Sequence, residues 1–211
     1  MKKSGGTLRR MAVGLASAGV VAATMMPSSA SAAPILNVTY DAGGSAYIAS
    51  TDSSIDLGPS TLTTQLDYAT GDFTGSMPLP GTTTKFEVAG FIPVKADVAF
   101  VEAAPVTGTL SAGQVGSRVD GVASYHIRLS NIKIVGFPTI TGNHCRTINP
   151  VTIPISSPPE GGFDLFVGGT VHGEFSIGDF QNCGLNTWLI NLLIPGSGNQ
   201  VEIDMANARL S

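Results

Sequence analysis

The chain has 211 residues, 43% hydrophobic and 12% charged, with 26 Gly, 13 Pro and two Cys. That is too apolar and too weakly charged for a disordered chain, and long enough to bury one substantial core. The formal net charge of −4 argues against nucleic acid or an anionic membrane as partner.

Residues 1–32 read as a secretory signal. Lys2, Lys3, Arg9 and Arg10 form a positive start without an acid, and Met11 to Met26 follow without a charge. Ala30-Ser31-Ala32 then supplies the small-residue site for cleavage before Ala33. The uncharged stretch is shorter than the ~20 strongly apolar residues of a membrane anchor, and no later run approaches that length. Arg9-Arg10 suggests twin-arginine export, but Leu8 precedes the pair, so the general secretory route is the expectation. No Cys stands near the cleavage site for a lipid anchor. Residues 33–211 are expected to form one β-rich domain. They keep Lys85, Lys95, Lys133, Arg118, Arg128, Arg146 and Arg209, seven cations against all fifteen acids, a net charge of −8.

Beyond the signal the dominant period is two. Leu62, Leu66 and Tyr68 share one phase and Thr61, Thr63, Gln65 and Asp67 the other. Thr70-Gly71 should turn that strand into the next, Asp72 to Met77. Phe86 and Val88 alternate with Lys85 and Glu87, and Val94, Ala96, Val98 and Phe100 with Lys95 and Asp97. Ala123, Tyr125, Ile127 and Leu129 oppose Ser124, His126 and Arg128. At Ser130-Asn131 the apolar phase slips by one, which requires a bulge. Asn149 to Pro159, with four prolines, fits only an edge strand or an extended surface segment. Phe163–Val167 and Thr170–Ile177 are expected to pair about Gly168-Gly169. Val201, Ile203 and Met205 flank Glu202 and Asp204 in a last strand. One wet and one dry face per strand favours antiparallel pairing. About eleven to thirteen strands are expected, in a β-sandwich or wide barrel.

One segment departs from this pattern. Leu185, Trp188, Leu189, Leu192 and Leu193 lie at the spacing of a short helix's apolar stripe, stopped by Pro195-Gly196. The stripe is expected to complete the sheet's core, with Trp188 as an anchor, or to lie as a lid over an apolar cavity. Cys145 and Cys183, the only thiols, are expected to form a disulfide in an exported chain, closing a loop worth about 4 kcal/mol in the chain-entropy model. The bridge would pin this helix, which closes one end of the sheet.

Chemistry is thinly signalled. His126, His144 and His172 have no partner at a metal-ligand spacing, so no metal or other cofactor is expected. His172 and Glu174 share a face two residues apart, a conceivable acid–base pair. Asp164, Glu174, Asp179 and Glu160 are candidates for paired carboxylates of a hydrolase. Asp41, Asp52 and Asp56 carry oxygen ligands for calcium without the spacing of a helix–loop–helix site. No serine stands in a nucleophile-elbow motif.

Four runs carry a likeness to known proteins: Gly75-Ser76-Met77-Pro78-Leu79-Pro80-Gly81-Thr82-Thr83-Thr84, Gly90-Phe91-Ile92-Pro93-Val94-Lys95-Ala96-Asp97-Val98, Asn182-Cys183-Gly184-Leu185-Asn186-Thr187, and Ile194-Pro195-Gly196-Ser197-Gly198-Asn199. In them the chain resembles small secreted actinobacterial proteins with no established activity. The resemblance implies an extracellular or cell-envelope location and transfers no chemistry. The function expected is non-catalytic binding or structure, with an apolar ligand or an envelope component as possible partner. The alternatives are a carrier of a lipid or other apolar molecule, with a cavity of roughly 300 Å³ or more, and a hydrolase using paired carboxylates.

Overall fold

The computed structural model describes residues 34–88, 91–141 and 144–211; the expected signal lies outside them. Ala33–Ser211 is one compact unit that contains every described strand and the whole core, so it carries what it needs to fold alone. The strands are β1 (Ile35–Ile48), β2 (Ser53–Asp56), β3 (Ser60–Asp67), β4 (Asp72–Ser76), β5 (Thr82–Val88), β6 (Ile92–Ala112) and β7 (Ser117–Ile134). They continue as β8 (Phe137–Pro138), β9 (Arg146–Thr147), β10 (Val151–Ser156), β11 (Gly169–Ile177), β12 (Phe180–Gln181) and β13 (Gly196–Leu210). One helix, α1 (Thr187–Leu193), lies between β12 and β13.

All the strand pairings are antiparallel, and the order β7-β10-β11-β13-β1-β3-β4-β6 returns to its start because β6 also pairs with β7. Of the two architectures the alternation allowed, the chain adopts a closed eight-stranded barrel. Closure removes the bare edges that an open sheet would expose. β5 extends the wall beside the first half of β6, while β8, β9 and β12 extend it beside the second half of β7.

Alternation sets the polarity of the wall. Val38, Tyr40, Ala42, Leu62, Leu66, Val98, Tyr125, Ile127, Val171 and Ile203 are buried, while Asp41, Thr63, Arg128, His172 and Glu202 are exposed on it or partly so. An apolar inside and a polar outside is the reverse of a lipid-spanning barrel. Among the described residues no helix is long and apolar enough to cross a membrane. Eight strands leave an interior just wide enough for side chains to fill, and two voids remain, of about 60 and 40 Å³. Two buried tyrosine hydroxyls are anchored: Tyr40 donates to the Leu165 carbonyl at 2.7 Å and Tyr125 to that of Met77 at 2.8 Å.

The expected bulge is present. Asn131 has φ of 49°, and the β6–β7 register slips between Lys95 and Asp97 opposite it.

Three expectations are corrected. β10 is part of the barrel wall, fully paired with β7, although it carries Pro154. The proline is tolerated because the seam with β11 is thin, with the single ladder pair Ser156↔His172. There Gly173 lets the backbones approach: a Cβ on it would stand 2.1 Å from the Pro154 carbonyl oxygen. Next, 163–167 is a tight turn rather than a strand. Asp164 and Gly168 exchange backbone hydrogen bonds, and the Asp164 carboxylate accepts the Phe166 N–H at 2.7 Å. The third correction concerns the helix.

Candidate functional site

The barrel has two poles. The turns 67–72, 112–117 and 156–169 gather at one, which we call the hairpin pole. The other, the rim, carries the start of β6, the end of β7, β8 and α1.

The helix turns its apolar stripe outward. Leu185, Trp188 and Leu192 are 77%, 68% and 71% exposed, Leu189 and Leu193 are half-buried, and only Ile190 of α1 is buried. None of the five stripe residues lines the interior void of about 60 Å³, and the exposure of Leu185, Trp188 and Leu192 shows that the stripe is no core face. Trp188 is no core anchor. The reason lies on the opposite face. The Asn191 side chain accepts the Phe180 N–H at 2.7 Å and donates to the Phe180 carbonyl at 3.0 Å, seating the helix on β12 with Ile190 and Ile194 against the barrel. This seating pairs both polar groups of the Phe180 peptide and buries Ile190, and it leaves the stripe on the solvent side. The sequence signal was the i, i+4 pair Ile190 and Ile194 flanking Asn191 within an apolar run.

The disulfide holds this arrangement. Cys145 and Cys183 are bonded and fully buried, with Cα atoms 4.2 Å apart. The Cys145 carbonyl accepts the Leu129 N–H at 3.0 Å, tying the bridge to β7. Asn186 donates to Thr141 Oγ1 at 3.2 Å, and Thr139 donates through both its N–H and its hydroxyl to the Ile132 carbonyl. The helix is therefore continuous with the loop after β8, where Phe137 is 74% and Ile140 78% exposed. Val135 and Phe91 add exposed apolar surface at the tips of β7 and of the β5–β6 hairpin.

Beside these tips the outer wall is basic. Lys85, Lys95 and Lys133 face one another across β5, β6 and β7, as the registers Lys85↔Lys95 and Lys95↔Lys133 require. All three are exposed and line one surface hollow of about 380 Å³ with Glu87, Pro93 and Gly136. Like charges directly opposite are unfavourable in a sheet. A second acid nearby, Asp97, accepts from Thr83 Oγ1 and Asn131 Nδ2, both at 2.6 Å. Those hydrogen bonds, aided by Lys95 and Lys133, hold its carboxyl below the usual range. A second hollow of similar size, beside the disulfide, is lined by His126, Arg128, His144 and Arg146 with Val101 and Asn182, and no acid contributes to it. Arg118 and Arg209, the two cations toward the hairpin pole, form ion pairs with Asp120 at 2.7 Å and Asp41 at 2.6 Å.

The candidate chemistry on the rest of the wall is dispersed. His172 pairs with Glu202 of β13 at 3.3 Å, across strands, rather than acting with Glu174 alone. His172, Glu174 and Glu202 all line an open hollow of about 530 Å³, and the paired side chains are more than half exposed. Water screens such a pair. Asp164 belongs to the turn described above. Asp41 is engaged by Arg209 and Asn207, and Asp52 accepts from Tyr47, so two of the three proposed calcium ligands serve separate local contacts. Among the described residues no three of His, Cys, Asp and Glu gather as a metal site.

No family model matches the chain, and no curated protein or solved structure matches it.

Proposed function

We propose that the chain is an exported, non-catalytic binding protein of the cell envelope or extracellular space that works through its apolar rim. The observation that carries this reading is the contrast between interior and rim. Among the described residues the barrel interior shows voids of about 60 and 40 Å³, whereas Phe91, Phe137, Ile140, Leu185, Trp188 and Leu192 stand in water at one pole. Large apolar groups held out by a disulfide and by paired peptide hydrogen bonds are kept for contact, since nothing in their own barrel needs them. A carrier would need several times the interior space found. The signal pattern of residues 1–32, the disulfide and the likeness to secreted actinobacterial proteins support export.

Fractionating the producing cells tests this. The chain should be found outside the cytoplasm with a mass beginning at Ala33. Retention on the envelope should fall in a Phe137→Ser, Ile140→Ser, Trp188→Ser, Leu192→Ser variant whose thermal unfolding is unchanged. Cytoplasmic residence, full retention by that variant, or turnover of a polysaccharide, ester or peptide that is lost in His172→Ala would overturn the proposal.

A further inference from the structure

We infer that the rim docks on an anionic lipid bilayer. Lys85, Lys95 and Lys133 would meet the headgroups while Phe137, Trp188 and Leu192 enter the acyl boundary. This rests on the rim reading above and names its partner.

Charge complementarity selects the partner. Net charge is an average, and here it conceals a separation. Five of the seven cations of residues 33–211 stand on the wall next to the rim, and the lysine row joins none of the ion pairs among the described residues. The sheet thus holds three ammonium groups side by side against their mutual repulsion, with only Glu87 and Asp97 nearby. An anionic surface relieves that repulsion.

Spacing agrees with a bilayer. Val135 follows the last residue of β7, two positions after Lys133, and Phe91 precedes the first residue of β6, four positions before Lys95, so each tip lies within about 14 Å of the row, the full reach of four residues. Interfacial apolar groups sink about 5–10 Å below the headgroups, and lysine stems are long enough to cover the difference. An exposed Trp, with its apolar body and polar N–H, is suited to that boundary. A protein partner would use the apolar tips without requiring an adjoining row of unpaired lysines.

The hairpin pole supplies a control. Phe166 and Val167 are 62% and 65% exposed there, beside Asp164, Asp72 and Asp67 rather than lysines.

The test uses the Ala33–Ser211 unit with vesicles of phosphatidylcholine, alone or with about one third phosphatidylglycerol. Trp188 is the single Trp of the chain, so its emission reports on the rim alone. The protein should float with the anionic vesicles and not the neutral ones, with Trp188 emission shifting to the blue. Each lysine near such a surface is worth about fivefold in affinity. Lys85→Glu, Lys95→Glu, Lys133→Glu together should therefore weaken binding ~100-fold, the matching Arg substitutions should preserve it, and Phe166→Ser with Val167→Ser should leave it unchanged. Absence of binding, equal binding to neutral vesicles, retention by the Glu variant, or unshifted Trp188 emission would overturn the inference. If the vesicles are ignored but envelope retention still depends on the rim, only the lipid assignment falls. If retention ignores the rim, the underlying reading falls with it.

Discussion

The two poles of the barrel are alike in apolar exposure and opposite in charge. Ile35, Tyr68, Val115, Phe166, Val167 and Leu210 stand in solvent at the hairpin pole, as Phe91, Phe137, Ile140, Trp188 and Leu192 do at the rim. Around the first group lie Asp67, Asp72, Glu160 and Asp164, and its arginines are neutralised by Asp120 and Asp41. Around the second lie Lys85, Lys95, Lys133 and Arg146, with Glu87 and Asp97 beside the lysines. Exposed apolar surface alone therefore does not mark a site on this protein. What distinguishes the rim is that its tips are locked by a covalent bridge and adjoin a lysine row that joins none of the ion pairs among the described residues.

The largest effect that separates the poles should come from the bridge. Cys145→Ser with Cys183→Ser should lower the unfolding free energy by about 4 kcal/mol, read from urea denaturation, and should loosen Trp188 emission at the rim before the barrel unfolds. A loss under about 1 kcal/mol would mean that the rim keeps its shape without the bridge.

Tyr40 probes the hairpin side. Its hydroxyl donates to Leu165, and its ring meets Phe163 edge-on with centroids 5.7 Å apart. Tyr40→Phe should cost about 1 kcal/mol at neutral pH, the net worth of one hydrogen bond. Burial, with the nearby Asp164 charge, pushes the Tyr40 hydroxyl up to about 12, and burial raises Tyr125 as well. The unfolded chain releases these protons near pH 10 and the folded chain only later. Stability is thus whole below pH 10 and falls as pH rises through about 12. The Phe variant should show a shallower alkaline decline, while substitutions at the rim should leave that limb as it is.

Thr84 should give a gain of similar size. Its hydroxyl is buried beside the larger void without a hydrogen-bond partner. Thr84→Val should raise stability by about 1 kcal/mol, because an unmade buried hydrogen bond costs roughly that much. A loss on urea titration would show that the hydroxyl has a partner in solution. The smallest effects belong to the tips. Phe137→Ser and Leu192→Ser should change stability by less than about 0.5 kcal/mol while altering what the protein binds.

Much of the barrel was legible in the sequence because alternation is a local property. Leu62, Leu66, Tyr125, Ile127 and Ile203 each declared a buried phase within a few residues, and the slip at Ser130-Asn131 declared its bulge. What depended on pairing was not legible. Pro154 read as an edge because its tolerance rests on Gly173, on another strand. The outward stripe of α1 was hidden because one side chain, Asn191, bonds a distant peptide and reverses the face. The lysine row could not be read from Lys85, Lys95 and Lys133 separately. It exists only when the β5–β6 and β6–β7 registers, including the bulge, bring them abreast.

β1 is zipped between β3 and β13, with Val38 opposite Leu210. The opening strand of the domain thus waits for the final one. A chain delivered start first must carry two raw, hydrogen-bond-hungry margins until its last fifteen-residue strand arrives. Throughout that interval it is most open to sticking to its neighbours, and the join that ends the hazard is made by the last piece to appear.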